Sequence, residues 1–397
     1  MRGEPIGAAS GRGSSGPAPP RLGRAGDVLG SGAVTDASAT AGPSLRDHGL
    51  RIGTLATGPA NAITDVGGVR VGHVTVVRDE APPPAGRGVA RTGVTAIVPR
   101  APETLLARPV PAGAAVLNGA GEMTSFVQVS EWGVIETPVY LTATMAVGRV
   151  YDGAITAAAA ADDAVGPSNV VIPAVAECDD SWLCDAIPVQ VDAADAGRAL
   201  AAAAGGAVAQ GAVGSGTGMI CFGWKGGIGT SSRVVAELDA SVGVLVMANF
   251  GSWPDLRVGG VPVGQALGRG GEVPEAGGEP PEPGGSCIAV VAIDAPLNTA
   301  QLQRVARRAG LGLARTGSVA HHGSGEIFLA LAVGDAGAVP DADLDALFAA
   351  TVDAAEEAVL NALWFAEDTT GRAGRVVRAL PHDAVLELLS THRRLEP

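Results

Sequence analysis

Three stretches of this chain are apolar at consecutive positions: "ASVGVLVMANFG", in which Asn249 ends the apolar run, "SCIAVVAIDAPL" from Ser286, and "GEIFLALAVG" from Gly325. A strand with one wet face alternates apolar and polar residues, whereas a strand apolar throughout is covered on both faces. Helical segments lie among these strands: "GRVYDGAITAAAAAD" from Gly148, "TAQLQRVARRAGLGLAR" from Thr299, and "PDADLDALFAATVDAAEEAVLNALWFAE" from Pro340. Strands buried on both sides and interleaved with helices predict sheets packed between helix layers. Aromatics make up only 3% of the residues. The layers must therefore meet through Ala, Gly and Val.

Other segments fill in the pattern. After the Gly67-Gly68 turn, Val69, Val71, His73 and Thr75 share one strand face, with Val74 and Val76 on the other. "GVTAIVPR" and "NVVIPAVAECDDSW" read as strands. "AGAAVLNGAGEMTSF" reads as a strand, a Gly-rich turn and a helix reaching about Trp132. "VDAADAGRALAAAAGG" predicts a helix opening at Asp192 and closing at Gly205. "GMICFGWKGGIGTSSRVV" predicts a Gly-rich hairpin.

Residues 1–45 are mainly Gly, Pro, Ser and Ala punctuated by Arg. Such a segment buries too little apolar surface to offset its ordering entropy. It is expected to be a disordered tail, or an over-extended start of the reading frame. The other break, 267–285, is followed at once by a core strand, so a single domain over 46–397 with an exposed loop is expected.

The formal net charge of −14 argues against nucleic acid or an anionic membrane surface as a partner. The N-terminus lacks an apolar signal region, and no long, strongly apolar run follows. Cys178, Cys184, Cys221 and Cys287 form no C-x-x-C pair. Buried, reduced thiols in a cytoplasmic protein are expected.

Several chemistries fail at the level of residue types. A phosphate loop needs Lys directly after the second glycine of its pattern. Here Gly223 is followed by Trp224, and Lys225, the only lysine, comes one position late. The dinucleotide fingerprint meets Met219 where its third glycine belongs. His321-His322 are adjacent and lack helical partners, so no metal site is expected and they read as a polar turn. Gly323-Ser324-Gly325 is a fragment of a nucleophile elbow.

Gly285-Ser286 offers a different route. A serine with a free α-amine carries its own base, since that amine has a pKa near ~8. Making one inside a chain requires cleavage just before the serine. A glycine there leaves the carbonyl open to attack, the loop before it lets the new end move away, and the buried strand after it fixes the new N-terminus.

These stretches, taken together, have a familiar order. "RIGTLATGPANAITDVGGVRVGHVTV", "VLNGAGEMT", "ETPVYLTATMAVGRVYDG", "GSGTGMICFGWKGGIGTSSRVV", "VGVLVMANFG", "GGSCIAVVAIDAPL" and "RTGSVAHHGSGEIFLA" resemble the L-aminopeptidase/D-esterase-amidase (DmpA-like) family of self-processing serine aminopeptidases, which includes β-aminopeptidases. The resemblance spans about Arg51 to Leu380. It implies an α+β fold, a four-layer αββα sandwich similar to N-terminal nucleophile hydrolases but differently connected. It implies autocleavage between Gly285 and Ser286 into α and β chains that stay associated, and a homo-oligomer. Ser286 would be the nucleophile, assisted by Ser324 and Glu326, with Asn249 as oxyanion donor. Tyr151 is the choice for a second donor and Tyr140 its competitor. Substrates would be short peptides, amides or esters, with no cofactor. Their free amine needs an acidic partner, for which Glu136 ranks ahead of Glu131 and Glu122. Ala143 and Cys184 stand where the family usually has Asn, which bears on substrate preference. Two other readings are an acyltransferase of similar architecture and a non-catalytic binding protein that keeps the fold.

Overall fold

The computed structural model describes residues 42–268, 284–334 and 337–396, and the backbone of Val34–Thr35. All belong to the compact unit Gly32–Pro397. The expected tail over 1–45 and the loop 267–285 lie almost wholly outside the described residues.

Among the described residues, nine strands of five or more residues and two of two residues build two sheets. In chain order the nine are β1 (Arg70–Asp79), β2 (Val89–Val98), β3 (Val110–Gly119), β4 (Val139–Ala143), β5 (Ala174–Cys178), β6 (Gly227–Val235), β7 (Ala240–Asn249), β8 (Gly284–Ile293) and β9 (Gly323–Ala332). The first sheet runs β1-β2-β4-β5, with Val34–Thr35 beside β1. The second runs β6-β7-β8-β9-β3, with Val134–Ile135 beside β3. Neighbours are antiparallel except β4/β5 and β8/β9. The long helices are α1 (Val147–Ala161), α2 (Ala194–Ala201), α3 (Thr299–Arg315) and α4 (Leu344–Trp364).

Alternation along the strands assigns each face. Ile97, Leu141, Ala176, Leu245, Met247, Ile288, Val290 and Leu329 pack between the sheets. Val244, Val246, Ala289, Val291 and Phe328 face outward onto Leu302 and Val305 of α3 and Ala358 and Leu363 of α4. Val74, Val94, Ala96 and Val175 face outward onto Val150 of α1 and Ala196 and Ala199 of α2. The result is the expected αββα sandwich. Its helices sit almost on the strand backbones: a Cβ on Gly229 would lie 1.9 Å from the Ala358 carbonyl oxygen, and one on Gly72 2.2 Å from that of Ala199. This closeness is what the small-residue composition permits.

Two local expectations change. The Gly-rich stretch expected as one hairpin makes a short one, Ile220–Cys221 against Trp224–Lys225, and the rest is the long edge strand β6. The helix α2 is shorter than expected. Asp195 accepts the Asp192 amide N–H at 2.8 Å, and Ala204 leaves the helix to pair with Val71 of β1.

A buried ion cluster ties the entering chain to α4. Glu357 accepts from Arg46 at 2.8 and 2.5 Å, from Arg233 at 2.6 Å and from Asn61 at 2.7 Å. Arg233 is fully buried. Removing the carboxylate leaves that guanidinium uncompensated, so Glu357→Ala is expected to cost about 3–5 kcal/mol. A denaturant titration of the two proteins, in which the midpoint does not fall, would contradict this.

Candidate active site

The second sheet gathers four strand ends. Asn249 closes β7 opposite Ser286 of β8. Ser286 pairs with Gly325 of β9, and Gly325 pairs with Gly119, which closes β3. The sequence elements that looked separate thus meet at one edge of the ladder.

Gly285 has φ +111°, a conformation open to glycine and strained for other residues. A Cβ there would lie 1.8 Å from the Asn249 carbonyl oxygen. The position is therefore closed to any side chain. The next residue, Ser286, is buried, and its Oγ donates to the Gly285 carbonyl oxygen at 2.7 Å. The hydroxyl is held against the carbonyl whose peptide bond would have to break.

Ser324 and Glu326, two apart on β9, share a face as their spacing predicts. The Ser324 hydroxyl donates to Glu326 Oε1. Both side chains are buried, and Glu326 Oε2 has no hydrogen-bond partner among the described residues. Burial raises the Glu326 carboxyl above its ordinary value, and the Ser324 hydrogen bond partly opposes that rise. The parallel register pairs Gly285 with Ser324 and Cys287 with Glu326. Paired residues in a ladder point to one side. Ser324 and Glu326 therefore share the face of Cys287, which packs toward the helices. Ser286 and Asn249 point to the opposite face, where Met247 and Ile288 pack between the sheets. The Ser286 backbone nitrogen lies in the sheet plane between the two sets.

Asn249 is half-committed. Its Oδ1 accepts the Ile220 amide N–H at 2.7 Å, and its Nδ2 donates to the Asp179 carbonyl at 2.9 Å. A carboxamide has two N–H donors, so one remains for another acceptor.

Two of the residues singled out from sequence, Tyr151 and Glu136, make the following contacts, none of them with Ser286, Ser324, Glu326 or Asn249. Tyr151 sits on α1 and packs in the outer layer against the cluster of Val74, Val94 and Val150. Glu136 accepts the Ile172 amide N–H at 2.9 Å and lines a pocket with Leu105, Val165 and Tyr140. Tyr140 is buried in the same outer layer as Tyr151. Glu131 and Glu122 are exposed.

A buried acid that sequence reasoning passed over, Glu177, lies near this strand end. It is 3% exposed, accepts the Glu122 amide N–H at 3.0 Å through Oε1, and accepts the Thr144 hydroxyl through Oε2. A Cβ on Gly121 would lie 3.3 Å from Glu177 Oε1 and 3.6 Å from the Gly325 Cα. The carboxylate is thus about one side chain away from the ladder partner of Ser286. Burial raises its pKa, against the two hydrogen bonds that lower it. A lone acid inside the apolar run "AVAEC" was the available signal. Asn118 was missed as well. Its Nδ2 donates to the His321 carbonyl at 2.8 Å and so fixes the turn entering Ser324.

Of the two departures, Ala143 ends β4 opposite Cys178, just before Thr144. The Cys184 amide donates to the Asp180 carbonyl at 3.0 Å, within the turn that follows Asp179. All four cysteines are free and buried. Among the described residues no cluster of His, Cys, Asp or Glu could hold a metal ion, and no helix is long and apolar enough to cross a membrane.

The model of peptidase family S58 matches residues 61–377. A beta-peptidyl aminopeptidase, BapA, from Sphingosinicella microcystinivorans is 40% identical over 385 residues, covering 91% of this chain and 96% of the relative. BapA from Sphingosinicella xenopeptidilytica is 40% identical over 380 residues, covering 90% and 93%. Among solved structures, a Burkholderia sp. beta-aminopeptidase superposes with a TM-score of 0.80 at 39% identity, covering 88% of this chain and 99% of the other. The L-aminopeptidase D-ala-esterase/amidase of Ochrobactrum anthropi, described as a prototype for the serine aminopeptidases and a new variant among the Ntn hydrolase fold, superposes with a TM-score of 0.81 at 37% identity, covering 89% and 100%.

Proposed function

The chain belongs to peptidase family S58, and from that premise we propose that Ser286 is the nucleophile of an aminopeptidase that makes its own active form by cutting the Gly285–Ser286 bond. The enzyme is a serine-type aminopeptidase hydrolase of the Ntn-hydrolase kind. The observation that carries the self-processing reading is the Ser286 hydroxyl 2.7 Å from the Gly285 carbonyl oxygen, beside a glycine where an added Cβ would strike the Asn249 carbonyl oxygen.

The steps follow from that geometry. Oγ attacks the Gly285 carbonyl carbon, the C–N bond breaks as its nitrogen takes up a proton, and the acyl group moves to Oγ as an ester. Water then hydrolyses the ester, leaving a carboxylate on Gly285 and a free α-amine on Ser286. The amine is made where the backbone nitrogen lay, in the sheet plane beside Ser324 and Glu326. These two residues thus serve the amine more directly than the hydroxyl. They orient it and hold its proton while Oγ attacks a substrate carbonyl. The unused N–H of Asn249 stabilises the oxyanion, a role whose removal typically costs roughly 10²–10³ in rate. Glu177 takes the place first given to Glu136 as partner of the substrate's free amine.

The substrates are short peptides, amides or esters with a free N-terminal amine, β-aminoacyl ones included, as the names of the Sphingosinicella relatives suggest for this chain. The two chains stay together after cleavage, because β8 is held between β7 and β9 whether or not Gly285 remains attached. Assembly into a homo-oligomer and a cytoplasmic location belong to the same reading. The test is a panel of L-, D- and β-aminoacyl p-nitroanilides, each with its N-acetylated counterpart. Release of p-nitroaniline from free-amine compounds only is expected. Equal rates on the acetylated compounds would overturn the aminopeptidase assignment.

A further inference from the structure

Asn249 sits in a run of hydrogen bonds that begins on a buried ammonium group. On one side, the Ile220 N–H donates to Asn249 Oδ1 at 2.7 Å. The opposite end of that same peptide unit, the Met219 carbonyl, accepts from Lys225 Nζ at 2.7 Å. The N–H and C=O of a trans peptide point in opposite directions. Lysine and asparagine therefore grip one peptide group from its two ends. The other two ammonium protons go to the Gly226 carbonyl at 2.8 Å and the Gly216 carbonyl at 3.2 Å. On the far side, Asn249 Nδ2 donates to the Asp179 carbonyl at 2.9 Å. The residue after Asp179 is Asp180, a buried acid whose Oδ2 has no hydrogen-bond partner among the described residues.

Lys225 is fully buried and is the only lysine of the chain. Burying an ammonium costs several kcal/mol unless its surroundings repay it, and an apolar side chain could fill the same space. Hydrogen bonds in series polarise one another in a low-dielectric interior. A positive charge on the Met219 carbonyl makes the Ile220 N–H a stronger donor to Oδ1. That draws electron density through the carboxamide and leaves its N–H groups more positive. A second buried ionisable group, the Asp180 carboxyl, shares this interior. Burial disfavours both charges, lowering Lys225 and raising Asp180, and the field of each partly restores the other.

We propose that Lys225 is a positioning residue for Asn249, gripping it through the Met219–Ile220 peptide unit so that its remaining N–H is aimed and polarised toward the oxyanion formed at Ser286. This rests on the reading of Asn249 as oxyanion donor. It gives Lys225, which the phosphate-loop pattern could not use, a place in the chemistry.

The test is a double-mutant cycle on processed enzyme, quantified as the chain beginning at Ser286, with Lys225→Met, Asn249→Ala and the pair. Lys225→Met is expected to lower kcat about tenfold, the scale of a lost hydrogen bond to a charged group, with KM within about twofold. In the Asn249→Ala background it should change kcat by no more than about twofold, because coupled residues are not additive. The same loss of kcat in both backgrounds, or no loss in either, overturns the proposal. If Asn249→Ala alone leaves kcat intact, the oxyanion reading itself fails, and that outcome is separate. If Lys225→Met does not fold, Lys225→Gln, which keeps a donor without the charge, carries the cycle. A several-fold loss of kcat confined to the Asn249 background supports the proposal, and an equal loss in both contradicts it.

Discussion

A Ser286→Ala chain is expected to stay in one piece of 397 residues and to release no product from any aminoacyl substrate. The loss should be complete because one atom performs both steps. The hydroxyl oxygen attacks the Gly285 carbonyl to make the enzyme and attacks the substrate carbonyl to use it. Folding is not at stake. The Ser286 side chain makes a single hydrogen bond, to the neighbouring Gly285 carbonyl, while the β8 ladder to β7 and β9 is backbone. The variant should therefore melt as a cooperative unit near the temperature of the unprocessed parent. Cleavage of the Ser286→Ala chain at the same bond would remove Ser286 from the mechanism.

The second large effect is expected one residue earlier. Gly285→Ala adds a methyl group where the Asn249 carbonyl oxygen is 1.8 Å away, at a φ of +111°. The left-handed region costs an L-residue roughly 1–2 kcal/mol. The clash with a backbone atom adds to this, because neither partner is a flexible side-chain end. The start of β8 must shift away from β7, and the Ser286 hydroxyl leaves the carbonyl it faces. A misplacement of about 1 Å costs on the order of 10²-fold in a positioned reaction. The time course of precursor disappearance on a gel should slow by at least that factor. Processing at the parent rate would mean that the conformation of Gly285 is not what readies the bond.

The architecture was legible in the sequence for a physical reason. Residues such as Val244, Leu245, Val246 and Met247 are apolar in sequence and buried on alternating faces, so two-sided burial is written locally. The pairing of Ser324 with Glu326 was legible on the same terms, since a spacing of two fixes the face. What could not be read was anything set by the order of strands. Parallel pairing of β8 with β9 decides that Ser324 and Glu326 face away from the Ser286 hydroxyl, and no local pattern carries that register. The placement of Tyr151 against the outer cluster of the first sheet could not be read locally for the same reason. Glu177 was passed over because its neighbours read only as core. What singles it out is the approach of the Gly121 turn and Gly325, distant in sequence.

The aminoacyl assays and the cycle around Lys225 both presuppose that the Ser286 amine is free. Intact-mass measurement of the purified protein after prolonged incubation, with N-terminal sequencing of the smaller species, tests that directly. Two associated chains are expected, the smaller beginning Ser-Cys-Ile-Ala-Val at Ser286 and the larger ending at Gly285. A single uncut chain that nevertheless hydrolyses aminoacyl substrates would contradict the account.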